Sequence, residues 1–138
     1  MARPRLILDS GALSALAKGD ARVVAWLYRA TQRQMMVGIP APVLAETLTG
    51  QPRDAAVYRV LEKDKAVLPT TADIAAHAGS LRHRAARPDL TVDAMIVATA
   101  AKHPRSIVLT GDMADTSLLA GLCDGAELAI RSVTSPAP

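Results

Sequence analysis

Residues 91–112 read TVDAMIVATAAKHPRSIVLTGD, and this stretch decides the fold of the 138-residue chain. The segment VDAMIVATAAK (92–102) is apolar on nearly every side, which predicts a buried helix with Thr91 placed to cap it. SIVLT (106–110) is rich in apolar and β-branched residues and gives the strongest strand signal in the chain. A buried helix followed by such a strand is typical of an α/β domain with a covered parallel sheet.

The rest of the chain continues this alternation of short strands and helices. The predicted strands are 5–8, 35–39, 66–68, 106–110 and 127–133. The predicted helices are 10–18, 21–32, a helix opened by Pro40 and Pro42 that contains VLAETL, 54–63, a helix capped by Thr70 that runs to about Ala86, 92–102 and 112–122. Gly19 is placed to end the first helix, and Asp20 can cap the second. We therefore predict a three-layer α/β sandwich with a mostly parallel central sheet and helices on both faces.

Composition indicates one globular domain. Hydrophobic residues make up 50% and charged residues 21% of the chain, and the net charge of +3 is too small for a disordered protein. We expect a single domain at 1–134 and a loose tail at 135–138. The single cysteine, Cys123, excludes a disulfide scaffold and a cysteine zinc cluster. We expect no membrane span and a cytoplasmic protein, because no apolar run reaches the roughly 18 residues that a span requires and the first apolar stretch is too short for a signal peptide.

Four acidic residues stand in apolar surroundings at the ends of predicted elements. Asp9 and Asp112 each follow a strand, so both should emerge at the carboxyl edge of the sheet, where ligands bind in such folds. Glu46 lies about two turns into its helix, and Asp93 lies in the first turn of the buried helix.

These acids allow two interpretations. In the structural one, Asp9 and Asp112 cap the following helices, Asp93 is stabilised by the helix dipole, and Glu46 is solvated. In the functional one they cluster, and because clustered carboxylates repel one another they need a cation or shared protons. With no Cys or His at ligand spacing, the suitable cation is Mg²⁺ or Mn²⁺.

Four segments resemble the PIN-domain nucleases, and among them the VapC toxins of prokaryotic toxin–antitoxin pairs. These segments are LILDSGALSAL (6–16), PAPVLAETLTG (40–50), TVDAMIVATAA (91–101) and IVLTGDMAD (107–115). DAMIVATA followed about ten residues later by LTGD is the most specific part of the resemblance. The resemblance covers nearly the whole chain and implies a PIN-like fold.

The resemblance also assigns site residues. The family's catalytic and metal-binding acids correspond in this chain to Asp9, Glu46, Asp93 and Asp112. Asp115 stands where relatives often carry a fifth acid, and Thr110 occupies a small hydroxyl position that could orient the neighbouring acid or a water. Gly11 departs from the family pattern, because many relatives have a second small hydroxyl residue there.

The resemblance implies a Mg²⁺- or Mn²⁺-dependent endoribonuclease toxin that hydrolyses tRNA, rRNA or mRNA. Asp9, Asp93 and Asp112 would form the metal shell, while Glu46 would bind through water or help to deprotonate the nucleophile. The implied partners are a VapB-like antitoxin, usually encoded immediately upstream, and a second copy in a homodimer. The helix at 21–32 could contribute to a partner groove, although core packing accounts for most of its apolar residues.

Other interpretations stay open at the level of sequence. Arg82, Arg84 and Arg87 precede Asp93 closely and form either a solvated helix end or an edge that contacts RNA phosphates. The main functional alternative is a non-catalytic PIN-like module that binds RNA or protein. Modules of that kind lose one or more acids, whereas this chain has all four.

Overall fold

The structure, a computed structural model, describes residues 3–64, 67–124 and 128–138. Within these ranges, five strands form the sheet: β1 (Arg5–Leu8), β2 (Met36–Pro40), β3 (Val67–Leu68), β4 (Ser106–Thr110) and β5 (Leu128–Ser132). Seven α-helices surround it: α1 (Ser10–Ala17), α2 (Ala21–Gln32), α3 (Ala41–Thr47), α4 (Ala55–Asp64), α5 (Ala72–Arg84), α6 (Thr91–Ala101) and α7 (Met113–Ala120). A 3₁₀ turn at Pro52–Asp54 leads into α4. No helix in the described part of the chain is long and apolar enough to cross a membrane.

The predicted elements are present, with differences at their ends. Two predicted caps are wrong. Thr71 rather than Thr70 caps α5, because its hydroxyl accepts the Ile74 N–H at 3.3 Å. Thr91 is the first helical residue of α6, and its hydroxyl donates to the Pro88 carbonyl at 3.4 Å instead of capping the helix. The predicted strands at 66–68 and 127–133 begin outside the described residues.

The sheet has the order β3-β2-β1-β4-β5, and every pairing is parallel. From β1 the chain moves outward through β2 and β3, and then returns to the other side of β1 to form β4 and β5. The direction of strand order therefore changes between β1 and β4. In open α/β sheets, a crevice forms at the carboxyl ends of the two strands on either side of such a change.

Helices cover both faces of the sheet, which confirms the three-layer prediction. Because crossovers between parallel strands are right-handed, α1, α2 and α4 lie on one face and α5, α6 and α7 on the other. Contacts within each group agree with this arrangement. Helix α6 is buried between the sheet and its neighbours, and six of its residues are buried. Helix α3 contacts both α1 and α6, so it links the two layers at the carboxyl edge of the sheet.

The segment 135–138, predicted to be loose, lies against α2. The indole N–H of Trp26 donates to the Ser135 carbonyl at 3.0 Å, and the Trp26 side chain is buried. Ala137 packs against the main core, and the Arg29 guanidinium donates to the Pro138 carbonyl. These contacts give the end of the chain a defined position on α2.

The loop between α3 and the 3₁₀ turn is held by the buried carboxylate of Asp54. This carboxylate accepts the Thr49 N–H at 3.0 and 3.1 Å, the Thr49 hydroxyl at 2.8 Å and the Gly50 N–H at 2.7 Å. Burial raises the pKa of Asp54, but the donors from Thr49 and Gly50 outweigh burial and hold the pKa below its ordinary value. The ionised form of Asp54 therefore stabilises the loop.

We predict that Asp54→Ala lowers the melting temperature by roughly 5 °C at pH 7, because the Thr49 and Gly50 donors lose the acceptor that holds the loop. Since the folded-state pKa is below the unfolded value, the stability that Asp54 contributes is present above about pH 4 and is lost as the pH falls through the folded-state pKa. The difference between wild type and variant should therefore shrink in acid. Asp54→Asn, which keeps one acceptor oxygen, should lower the melting temperature less than Asp54→Ala does. Equal melting curves for wild type and Asp54→Ala at pH 7 would contradict this account.

Candidate active site

Asp9 lies at the end of β1 and holds the ends of the two central strands together. It is 5% exposed and is the N-cap of α1, where Oδ1 accepts the Ala12 N–H at 2.8 Å. The Gly111 N–H, just after β4, approaches its two oxygens at 3.0 and 3.3 Å. The Thr110 hydroxyl donates to Oδ2. The cap that the sequence allowed is therefore present, and the same carboxylate also bonds to β4.

Thr110 is the hub of a buried network of hydroxyl groups. Its oxygen accepts the Asp112 N–H at 2.9 Å and lies 3.0 Å from the hydroxyl of Thr116. Because the Thr110 proton is donated to Asp9, the Thr116 hydroxyl is the donor in the second contact. The family resemblance implied that Thr110 orients the neighbouring Asp112 or a water, whereas in the structure its hydroxyl donates to Asp9 and accepts only the backbone N–H of Asp112. Thr116 gave no sequence signal beyond its place one turn into α7.

Two glycines meet where the turns after β1 and β4 cross. A Cβ built on Gly11 would stand 3.1 Å from the Gly111 Cα, and a Cβ on Gly111 would stand 3.3 Å from the Gly11 Cα. Both distances are tighter than ordinary side-chain contacts, so the two turns approach this closely because neither residue has a side chain. The departure of Gly11 from the family pattern therefore has a packing reason in this chain.

The other predicted acids come from three different helices. Asp112 is the N-cap of α7, where its Oδ1 accepts the Asp115 N–H at 3.1 Å. Asp93 lies in the first turn of α6, as predicted. Glu46 lies on α3 and accepts a hydrogen bond from the Ser10 hydroxyl, which follows Asp9 directly. The contact of α3 with α1 and α6 thus brings Glu46 to the crevice between β1 and β4.

Electrostatics show that the acids lie close together. The pKa of Asp93 is raised to about 6, first by burial and then by the negative charges of Glu46, Asp112, Asp9 and Asp115. The charges of all the other predicted acids, including the auxiliary Asp115, therefore act on the Asp93 carboxyl. The structure brings these residues together at the point where the strand order changes.

The carboxylates of the crevice lie near one another, but their oxygen atoms are not arranged around a common point as the ligands of a metal ion are. Among the described residues, no group of three or more His, Cys, Asp or Glu side chains is arranged to hold a metal ion. The donor set nevertheless suits a hard cation, because it consists of carboxylate and hydroxyl oxygens. The raised pKa of Asp93 also reflects negative charge that a cation would offset.

Arg87 contacts the margin of this acidic cluster. Its guanidinium binds Asp89 with two hydrogen bonds at 2.9 and 3.0 Å and reaches Asp115 at 3.3 Å. These hydrogen bonds and charges raise the pKa of Arg87 above its already high value. Arg87 therefore fixes the position of the fifth acid.

Arg82 and Arg84 also make contacts within the protein. Arg82 donates to the Thr91 hydroxyl at 3.0 Å, and Arg84 donates to the Leu122 carbonyl at 2.8 Å. Both contacts tie the end of α5 to neighbouring segments. A description of this arginine segment as a helix end that only contacts solvent is thus incomplete, because Arg82 and Arg84 also connect α5 to other parts of the fold.

Several solved structures have a similar fold. A toxin–antitoxin complex from Klebsiella pneumoniae matches with a TM-score of 0.61 and 21% identity, over 80% of this chain and 88% of that chain. FitAB bound to an IR36 DNA fragment matches with a TM-score of 0.65 and 22% identity, over 93% of this chain and 94% of that chain. VapBC2 from Rickettsia felis, bound to a DNA fragment from its promoter, matches with a TM-score of 0.69 and 13% identity, over 93% and 98%. FitAcB from Neisseria gonorrhoeae matches with a TM-score of 0.63 and 22% identity, over 93% and 97%.

No curated protein matches this sequence significantly. The model of the PIN domain family matches residues 6–114, which contain the crevice and its four predicted catalytic acids. The match confirms the family suggested by the sequence motifs. The chain belongs to the PIN domain family.

Proposed function

We propose that this chain is an endoribonuclease toxin that hydrolyses RNA phosphodiester bonds with the help of Mg²⁺ or Mn²⁺. The observation that carries the proposal is the crowding of five carboxylates in one crevice, where the pKa of Asp93 is raised to about 6. Membership of the PIN family and the similar fold of toxin–antitoxin proteins support it. We also propose that the protein acts in the cytoplasm.

We assign each acid a proposed role. Asp9, Asp93 and Asp112 would hold the cation, which when bound polarises a phosphate oxygen and lowers the pKa of a bound water. Glu46, oriented by the Ser10 hydroxyl, would accept the proton of the attacking water. Thr110 keeps the Asp9 carboxylate in place through its hydrogen bond, so it acts as a positioning residue.

An antitoxin partner also belongs to the proposal. A groove of about 570 Å³ lies between α1, α2 and α4, and its apolar lining includes Leu16, Val24, Leu27 and Val60. Tyr28 stands at this groove and is 65% exposed, whereas Trp26 is buried in the core. An apolar segment of a VapB-like antitoxin fits such a surface. The homodimer implied by the family resemblance remains a proposal as well.

Purified wild-type protein should cleave single-stranded RNA in Mg²⁺ or Mn²⁺ and lose this activity in EDTA. Asp93→Asn and Asp112→Asn should each lower the cleavage rate by about a hundredfold or more, because the cation contributes several kcal/mol to the transition state. Gel analysis of labelled RNA measures both effects.

Asp73→Asn is a suitable control for this assay, because Asp73 is an exposed acid in the first turn of α5 and should leave cleavage unchanged. RNA binding without cleavage under every metal condition would favour the non-catalytic module instead.

In EDTA, the wild-type protein should lose stability as the pH rises from about 4 through 6, the folded-state pKa of Asp93. The folded state binds the Asp93 proton more tightly than the unfolded state does. At a given pH, ionisation of Asp93 therefore costs more free energy in the folded protein than in the unfolded chain. Asp93→Asn should remove this cost and be more stable than wild type by about 1 kcal/mol at pH 8, a value reduced for the partial exposure of the site.

Thermal melts at pH 4 and pH 8 test this expectation. Adding Mn²⁺ should restore the stability of the wild type at pH 8, because the cation offsets the repulsion. If Asp93→Asn melts below wild type at pH 8 in EDTA, Asp93 supports the fold and the repulsion argument fails.

Tyr28→Asp should prevent neutralisation by the product of the adjacent antitoxin gene, because it places a charge in an apolar contact. RNA cleavage by the isolated variant should stay unchanged, since the groove is lined by none of the catalytic acids. Co-expression growth assays measure neutralisation. A variant that the antitoxin still neutralises fully would place the antitoxin contact elsewhere.

A further inference from the structure

A second pocket opens beside the acidic crevice and shares Glu46 with it. Its volume is about 450 Å³, within the range of pockets that bind small molecules. Polar side chains from α1 and its C-cap, from α3, from the loop after α3 and from the 3₁₀ turn form much of its lining. Besides Glu46, these are Ser14, Lys18, Thr47, Thr49, Arg53 and Asp54. Because Glu46 belongs to both sites, a polymer that crosses the crevice can enter this pocket.

Two cations of the pocket are available to a ligand. Lys18 and Arg53 are both exposed. Among the carboxylate side chains that the structure describes, none forms an ion pair with Lys18 or Arg53. Arg53 makes only a long contact of 3.5 Å with the Thr49 hydroxyl. Both cations can therefore turn toward an anion without breaking an ion pair.

Thr47 adds a polar atom without a partner. Its hydroxyl oxygen is buried and forms no hydrogen bond in the described structure, although Thr47 lines the pocket. A buried hydroxyl without a partner destabilises the protein, because the group has lost its water and gained no hydrogen bond in return. Rotation of the Thr47 side chain toward the pocket would bring this hydroxyl within reach of a ligand oxygen, which would then be its partner.

The wall that carries Arg53 is held in place before any ligand arrives. The buried carboxylate of Asp54 accepts the N–H groups of Thr49 and Gly50 and the Thr49 hydroxyl, and it also attracts the charge of the neighbouring Arg53 without a direct ion pair. Arg53 is thereby attached to a fixed segment of backbone. A site that is fixed in advance loses less entropy when it binds its ligand.

RNA needs such cations beside the proposed active site. The five acids of the crevice repel phosphates, and Arg87 on the far side is already paired with Asp89 and Asp115. We infer that the pocket binds the nucleotide next to the scissile phosphate, with Lys18 and Arg53 on its phosphate and the Thr47 hydroxyl as a further donor. This inference rests on the proposed ribonuclease function and assigns part of its substrate binding.

The first test removes the two cations together. Lys18→Ala/Arg53→Ala is compared with Lys102→Ala/Arg33→Ala, which removes the same charge from exposed positions at the ends of α6 and α2, at the opposite edge of the sheet. The probe is a fluorescein-labelled single-stranded RNA 12-mer, measured by anisotropy in EDTA between 50 and 200 mM salt. The pocket variant should bind about tenfold more weakly, and its salt slope should be smaller by about 0.7, the value for one neutralised phosphate of a single strand. The control should keep the wild-type slope.

The second test separates binding from folding. Thr47→Val removes the hydroxyl and keeps the branched shape, so it should raise the melting temperature by relieving a buried polar group without a partner. The same variant should weaken RNA binding severalfold and raise KM for cleavage in Mn²⁺ with little change in kcat. A change that stabilises the fold while weakening substrate binding is not expected from a purely structural residue.

The outcomes distinguish this inference from the proposed function. If wild-type protein does not cleave RNA in Mg²⁺ or Mn²⁺, the ribonuclease proposal fails whatever the pocket does. If the wild type cleaves but both double variants lose affinity equally, the pocket makes no specific contact and the inference is overturned. Thr47→Val with unchanged RNA affinity would overturn the role of its hydroxyl.

Discussion

The fold and the candidate site both depend on the hydrogen bonds of the Asp9 carboxylate. Its two oxygens accept donors from Ala12 at the start of α1 and from Thr110 and Gly111 at the end of β4. One buried side chain thus connects the two central strands where the strand order changes. Because the charge is compensated by several donors, Asp9 can remain buried without an ion pair.

The acids of the crevice have different surroundings. Asp9 is more buried than Asp93, and the structure surrounds it with N–H and O–H groups. Asp93 has the other carboxylates as neighbours, and their negative charges add to burial in raising its pKa to about 6. A bound cation would offset this repulsion at Asp93.

The sequence was sufficient to predict the alternating elements, the family and the positions of the acids relative to the strands. Those features depend on local patterns. Apolar runs mark β1 and β4, and Asp9 and Asp112 come just after these two strands. Contacts between distant segments could not be predicted. The hydrogen bond from Thr116 to Thr110, the approach of Gly11 to Gly111 and the ion pair of Arg87 with Asp115 each depend on how the elements pack. Sequence periodicity does not specify such packing.

The position of Trp26 has a spectroscopic consequence. It is the only tryptophan in the chain, and its indole is buried while its N–H donates to the carbonyl of Ser135. The tryptophan emission of the protein therefore arises from one place, where α2 meets the last residues of the chain. Release of residues 135–138 would remove the acceptor of the indole N–H and let water approach it, which should shift the emission to longer wavelength, so intrinsic fluorescence reports on whether these residues lie against α2.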